Sequence, residues 1–508
     1  MDAYVACWAS RRLPDEYGQI VAGVKLPLSR QCNYGNVSAY NLVCGQGPEM
    51  TASTDSVIKY FNSTTPLGPT AAPPISSDRE IQRFIFDHDN ALFKELNHGK
   101  TLIVGRKGSG KTSMLNTAYF DEEKGTVIIP LDSNDSADIF MRIVQEIEAL
   151  SRDVTLVEQV SKLWEVLIWG VVFRVLSDKF KDEVIEQYIR GLDILDLVGT
   201  PYQYIDKQLE VMKGFPPPAH PLPQKIRYTK INGLTFIDVK SYAVSLLKKK
   251  KMLIYVLMDS FEDYKLHIYE NSASLAGLLR CIGDFTAERS PCILRCCVPA
   301  EKYHVLMSLS QNPLKDFAGS MLLHWDAGEL IQLSAKRYAI YLKYHEQLFY
   351  SKEVDSLDLN SRDGAFKFWE RIFPKVITNR NGVVENPIPY IMRHTQLLPR
   401  HFLFILNNIL SQSIKVHGRF ANISQSDIVD GVYQSEDGIT AQILQAYRSS
   451  GIAIESACSQ ILKELRTHFE WSDFDRVVAS RSGELRDLGR GEVMQLLIGA
   501  SFRITCTR

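Results

Sequence analysis

At 508 residues the chain is too long for a single hydrophobic core, so length predicts two or three domains. Apolar residues at 45% and charged residues at 23% are ordinary for a soluble globular protein. The balance of 58 Lys and Arg against 59 Asp and Glu excludes the broad basic excess of a protein that coats nucleic acid or a membrane surface, leaving room only for a local basic patch.

The N-terminus, "MDAYVACWASRRLPDE", lacks a basic n-region and a long apolar core, so no signal peptide is expected there. Nine cysteines, an odd number without any C-x-x-C pair, suit a reducing cytosol, and a cytoplasmic protein is expected. Residues 1–61 show little periodicity and have no assigned role. Residues 62–78, "NSTTPLGPTAAPPISSD", carry four prolines among small polar residues and read as a linker or surface arm. A helical pattern follows from Asp78, with Ile81, Phe84, Ile85, Leu92, Phe93 and Leu96 at helical spacings, and Gly99 ends it.

"KTLIV" then reads as a short buried strand, followed by a glycine-rich loop, a helix from about Thr112 and a second strand over 125–132. A mostly helical insertion is predicted over 136–212. Its greasiest run, "VLIWGVVF" (166–173), is too short to span a bilayer and reads as a buried helix; no membrane partner is expected. After the break "GFPPPAHPLP", a helix over 237–247 leads into the strand "MLIYVLMD". A helix over 270–283 precedes a strand in "PCILRCCVPAE", and "SMLLHW" reads as one more. Strands alternating with helices predict an α/β core over 79–326, a parallel sheet with helices on both faces. A helical domain over 327–418 is expected next, with helices at 328–350, 363–377 and 399–416. The remainder, 419–508, reads as several short helices with a possible winged-helix module.

The loop Gly105-Arg106-Lys107-Gly108-Ser109-Gly110-Lys111-Thr112 matches G-x-x-x-x-G-K-[ST] at every fixed position. Glycines at this spacing let the backbone wrap phosphate oxygens with inward N–H groups. The helix that opens at the loop end favours an anion at its N-terminus. Lys111 is placed to reach the β- and γ-phosphates, Thr112 to hold Mg²⁺ through its hydroxyl, and Ser113 follows as the next ligand. The bland alternative is a flexible glycine turn, but the strand before the loop and the amphipathic helix after it are the setting the motif requires. ATP and Mg²⁺ are therefore the expected cofactors.

Such a site needs an acidic partner, and "MLIYVLMDSFEDY" offers it. An apolar strand ends in Asp259, which delivers a carboxylate to the sheet edge where ligands bind. Asp259 is the candidate for the metal, Glu262 the candidate catalytic base and Asp263 its backup. The run Lys248–Lys251 before this strand reads as a solvated helix end complementing the C-terminal dipole. In the neighbouring strand, Arg295 and Glu301 are candidate sensors of the γ-phosphate. Arg400, directly after Pro399 at a helix start, is a candidate to reach back to the nucleotide.

Together, "LIVGRKGSGKTSML", "VLMDSFEDY", "LRCCVPAE", "LLHWDAGELIQLSAKRYAIYL" and "HTQLLPRHFLFILNNIL" resemble the bacterial defence-associated P-loop ATPases near the KAP and STAND branches of the AAA+-like, additional-strand class. The resemblance covers roughly 78–415. It implies an ATP-fuelled switch with a helical domain after the core, Lys111 and Thr112 as nucleotide ligands, Asp259 as the Walker B acid and Arg400 as a sensor. The sequence departs from the KAP pattern D-D-x-D, showing Asp259-Ser260-Phe261-Glu262 instead.

Two roles follow. One is an ATP-hydrolysing switch that regulates an effector protein, in phage defence by the resemblance. The alternative is a DNA-associated initiator or loader ATPase using its chain end as a winged helix. Residues 299–320 contain no arginine to serve as a finger between subunits, which speaks against a remodelling ring, though a homo-oligomer stays open. No N/T-K-x-D base-reading motif of a GTPase is present.

Overall fold

The computed structural model describes residues 54–72, 100–119, 125–131, 156–213 apart from 198, 227–259, 269–287, 290–310, 313, 317–445, 461, 464–465 and 470–481. The helix expected over 78–99, the acids Glu262 and Asp263, and the winged-helix-like chain end beyond 481 lie outside the described residues.

Among the described residues, five strands form one all-parallel sheet: β1 (Leu102–Gly105), β2 (Thr126–Leu131), β3 (Leu253–Met258), β4 (Cys292–Pro299) and β5 (Ser320–Leu323), in the order β2-β3-β4-β1-β5. β4 therefore stands between the strand that enters the glycine loop and the strand that ends at Asp259. It pairs Cys296 with Leu102 on one side and with Met258 on the other. The two chemically important strands are kept one strand apart, and both deliver their ends to the same edge.

The strands are nearly continuous apolar runs because both faces are covered. Leu102, Val104, Ile254, Val256, Leu294 and Cys296 face a core shared with α3 (Leu156–Phe180) and α7 (Tyr269–Ala287). Ile103, Leu257, Cys297, Met321 and Leu323 face the opposite way, onto Met114 and Leu115 of α2 (Lys111–Asn116). α3 carries the greasy run, and Trp164, Trp169 and Phe173 are completely enclosed. The insertion continues as α4 (Glu183–Gly191), started by Asp182, whose carboxylate accepts from Val184 and Ile185 N–H, and α5 (Pro201–Lys213). α6 (Phe236–Lys250) opens on a capping box of Thr235 and Asp238. α8 (Ala300–Leu309) follows β4 directly. This is a P-loop α/β fold.

The second core belongs to the helical domain: α9 (Ala327–His345), α10 (Arg362–Ile372), α11 (Pro387–Arg393), α12 (Pro399–His417) and α13 (Gln425–Gln445). Asp326 and Glu329 box the start of α9, and Tyr338 stacks on Trp369 in the centre with ring centroids 5.9 Å apart. α14 (Trp471–Ser480) lies near the end of the described chain. No described helix is long and apolar enough to cross a membrane.

Four expectations are corrected. The region before 61 is not wholly aperiodic, since α1 (Thr54–Tyr60) forms there. α13, with 21 residues, is longer than the short helices expected after 419. Residues 62–72, read as a linker or surface arm, are folded down: Phe61 and Leu67 are both fully buried, and the side chain of Asn407 brackets the segment, accepting from Leu67 N–H at 2.8 Å and donating to Gly68 O at 3.1 Å. Composition misled because two apolar anchors and one amide suffice when a preformed helical surface receives them. A short hairpin, β6 (Ile377–Thr378) with β7 (Val384–Glu385), is also present where a helix was expected to run to 377.

Candidate nucleotide-binding site

β1 ends at Gly105, and the chain turns through 106–110 into α2. Gly108 and Gly110 sit at φ +88° and +96°, backbone that a side chain strains. A Cβ on Gly108 would also stand 3.1 Å from Cβ of Arg400. The curled loop turns the Lys111 ammonium back on itself, donating to Arg106 O at 3.1 Å, with the residue only 4% exposed. Ser109 is buried at the base of the curl.

Thr112 and Asp259 lie 147 residues apart in sequence, yet Oγ1 of Thr112 donates to Oδ2 of Asp259 at 2.8 Å. A hydroxyl from the loop and a carboxylate from the end of β3 are thus held at one point, two hard oxygen ligands of the kind Mg²⁺ takes. Cys297 of β4 completes this corner: its thiol donates to Asp259, and burial first, then the charge of Asp259, pushes the thiol well up, so it stays protonated.

A cavity of about 160 Å³ opens beside the loop. The loop and α2 give it Lys107, Gly108, Gly110, Lys111, Thr112 and Ser113; the helical domain gives Arg337, Pro399, Arg400 and Leu403; the N-terminal segment gives Pro69 to Ala72. Lys107, Lys111, Arg337 and Arg400 make it strongly cationic, and no carboxylate is among its described lining. Such a cleft fits a polyanion.

The helical domain touches the loop directly. Arg400, at the start of α12, donates its backbone N–H to Gly108 O at 3.3 Å, and its side chain lines the cavity. Next to it His401 is buried and pulled down to about 4, by burial first and then by the charges of Arg106 and Arg400. Trp325, just beyond β5, donates its indole N–H to Ser109 O at 2.8 Å and packs in the core of the helical domain.

Of the residues singled out from the sequence, Gly105 to Ser113, Asp259 and Arg400 come together here. Glu262 and Asp263 lie outside the described residues, as does the side chain of Glu301. Arg295 is elsewhere: buried in β4, it lies over the ring of Tyr255 at 4.8 Å and lines no part of the cavity. A cation so close to an aromatic face packs against it inside the sheet. Sequence reasoning missed Trp325, Cys297, Arg337 and residues 69–72. The aromatic following a strand end was a weak signal for Trp325; a cysteine inside an apolar strand reads as a small hydrophobe.

The glycine loop and the sheet order define a P-loop α/β fold with an additional strand between the loop strand and the acid-bearing strand. No known family matches the chain, and no curated protein does. Among solved structures it is similar to Cdc6p from Pyrobaculum aerophilum, at 11% identity over 87% of this chain and 88% of that one, with a TM-score of 0.29. It is also similar to the Aeropyrum pernix ORC2 protein, solved as ADPNP and ADP complexes, at 9% identity over 86% and 97%, with a TM-score of 0.31.

Proposed function

We propose that this chain binds ATP with Mg²⁺ in the cleft between the glycine loop and the helical domain, hydrolyses it, and acts as a switch on a partner. The observation that supports this most is the 2.8 Å bond between Thr112 and Asp259. A loop hydroxyl and a strand-end carboxylate from remote parts of the chain meet at one point, where a bound metal would use both. Thr112 and Asp259 would hold Mg²⁺ there, and the ion would neutralise charge on the phosphates. Lys111 takes phosphate oxygens once it leaves Arg106 O, and the loop amides wrap them. Arg400 reports the phosphates to α12. Glu262, or failing it Asp263, orients the attacking water.

Of the two roles weighed from the sequence, regulation of an effector in phage defence and initiation or loading at DNA, the comparison with Cdc6p and ORC2 sits nearer the second. At TM-scores of 0.29 and 0.31 it carries no argument, so DNA enters as an arm of the test.

The test is equilibrium binding of ATP with and without Mg²⁺, alongside phosphate release with and without duplex DNA. Lys111→Ala is expected to weaken binding at least about a hundredfold with the fold intact, and Asp259→Asn to remove the Mg²⁺-dependent part. Wild-type protein that binds ATP no better than Lys111→Ala refutes the proposal.

A further inference from the structure

The segment from α1 to Ala72 is secured almost entirely by the helical domain. Val57 and Phe61 are fully buried against Ile340 and Tyr344 of α9, and the ring of His345 bonds Phe61 O at 2.8 Å. Asn407 of α12 brackets Leu67 and Gly68 as described above. Arg337 of α9 donates to Pro69 O at 2.7 Å and reaches toward Leu67 O at 3.5 Å. Immediately after these anchors, Pro69, Thr70, Ala71 and Ala72 become a wall of the nucleotide cavity.

Arg337 is unusual for a guanidinium. No carboxylate of the described residues pairs with it, and its Nε is enclosed without a partner. Burial pulls it down to about 10. Carbonyls alone satisfy a buried cation poorly. Arg337 nevertheless lines the cavity, where an anionic ligand would lie beside it. Lys111 and Thr112 draw the phosphate end of a nucleotide to the loop, which leaves residues 69–72 facing the rest of the ligand.

We propose that residues 54–72 form a strap whose end is part of the nucleotide site, positioned by Arg337 and Asn407, so that nucleotide in the cleft fixes the strap and couples the N-terminal region to nucleotide occupancy. This rests on the reading of the cleft as a nucleotide site and extends it. Arg337 and Asn407 are positioning residues. They differ usefully: Arg337 lines the cavity, whereas Asn407 does not and acts only through Leu67 and Gly68.

The experiment is hydrogen–deuterium exchange of amides 61–72 in the full chain, with and without saturating Mg²⁺ and a non-hydrolysable ATP analogue, together with calorimetric affinities. It is run on wild type, Arg337→Ala and Asn407→Ala. In wild type the analogue is expected to slow exchange in the strap about fivefold or more, a loss of opening that ligand linkage predicts. Both variants are expected to lose that slowing and to bind the analogue about tenfold more weakly. A merely structural strap would exchange faster in the variants yet leave affinity unchanged, and that result overturns the inference. Wild type that binds the analogue with unchanged strap exchange overturns it alone, leaving the nucleotide site standing. No binding by wild type overturns both. Should Asn407→Ala fail to fold, the wild-type exchange and Arg337→Ala affinity decide by the same outcomes.

Discussion

Replacing Trp325 by Phe isolates one hydrogen bond that ties the phosphate loop to the helical domain. The indole N–H donates to Ser109 O at 2.8 Å in a buried setting, and Trp325 itself is only 9% exposed. Phenylalanine keeps most of the ring packing and removes the donor. The net value of such a bond is about 1 kcal/mol, rising toward ~3 kcal/mol where the abandoned carbonyl stays buried without a donor. Ser109 sits 1% exposed at the base of the loop, so water is poorly placed to replace the indole, and about 2 kcal/mol is expected. For a unit of this size that lowers the unfolding midpoint by about 4–8 °C. Because the lost bond shapes the loop that grips the ligand, ATP affinity should also fall, by about tenfold. Differential scanning calorimetry and titration calorimetry read the two effects. Trp325→Ala adds the loss of ring burial and should cost about 3–5 kcal/mol in stability. A Trp325→Phe protein with wild-type midpoint and wild-type affinity would refute the idea that this bond organises the loop.

Two more outcomes can be checked. Glu165 is buried in α3 beside Lys240 at 2.7 Å, Arg227 at 3.5 Å and Lys162 at 3.7 Å, so Glu165→Gln removes the carboxylate these cations share and should cost about 3 kcal/mol, read as a shift in the urea midpoint; a shift worth under ~1 kcal/mol would show that water reaches the cluster. His401 is held near 4 against an ordinary 6.5, so the unfolded chain binds the extra proton between those values: stability rises with pH across that window and is lost as pH falls from about 6.5 toward 4, by ~3 kcal/mol at most. Acid unfolding of His401→Gln is expected to lose that dependence. Bound triphosphate, offsetting Arg106 and Arg400, should shrink it in wild type.

Much of the core could be read from the chain because its signals are local. A strand, a glycine spacing and a lysine-threonine pair lie within a dozen residues, and a strand ending in Asp259 carries its own boundary. The strand next to Asp259, β4, was legible for the same reason, although the residue it brings to Asp259 was not. Arg295 is the more polar residue and shares one face of the strand with Cys297, but it lies two residues earlier in the strand, over Tyr255, while the inconspicuous Cys297 points its thiol at Asp259. Residues 62–72 looked like a tether because proline and threonine dominate them. Their fate was decided by Asn407 and Arg337, more than 250 positions away, which no local pattern announces.

By itself, then, the sequence determined that a phosphate-type loop follows a buried strand, that a second strand ends in a carboxylate, and that helices follow the sheet, because periodicity and backbone preference act over a few residues. The meeting of Thr112 with Asp259, the seating of Arg400 on Gly108, the indole bond to Ser109 and the strap that walls the cavity were decided only by the tertiary structure. Each joins groups far apart in the chain, and what brings them together is burial of shared apolar surface, not any preference of the residues themselves.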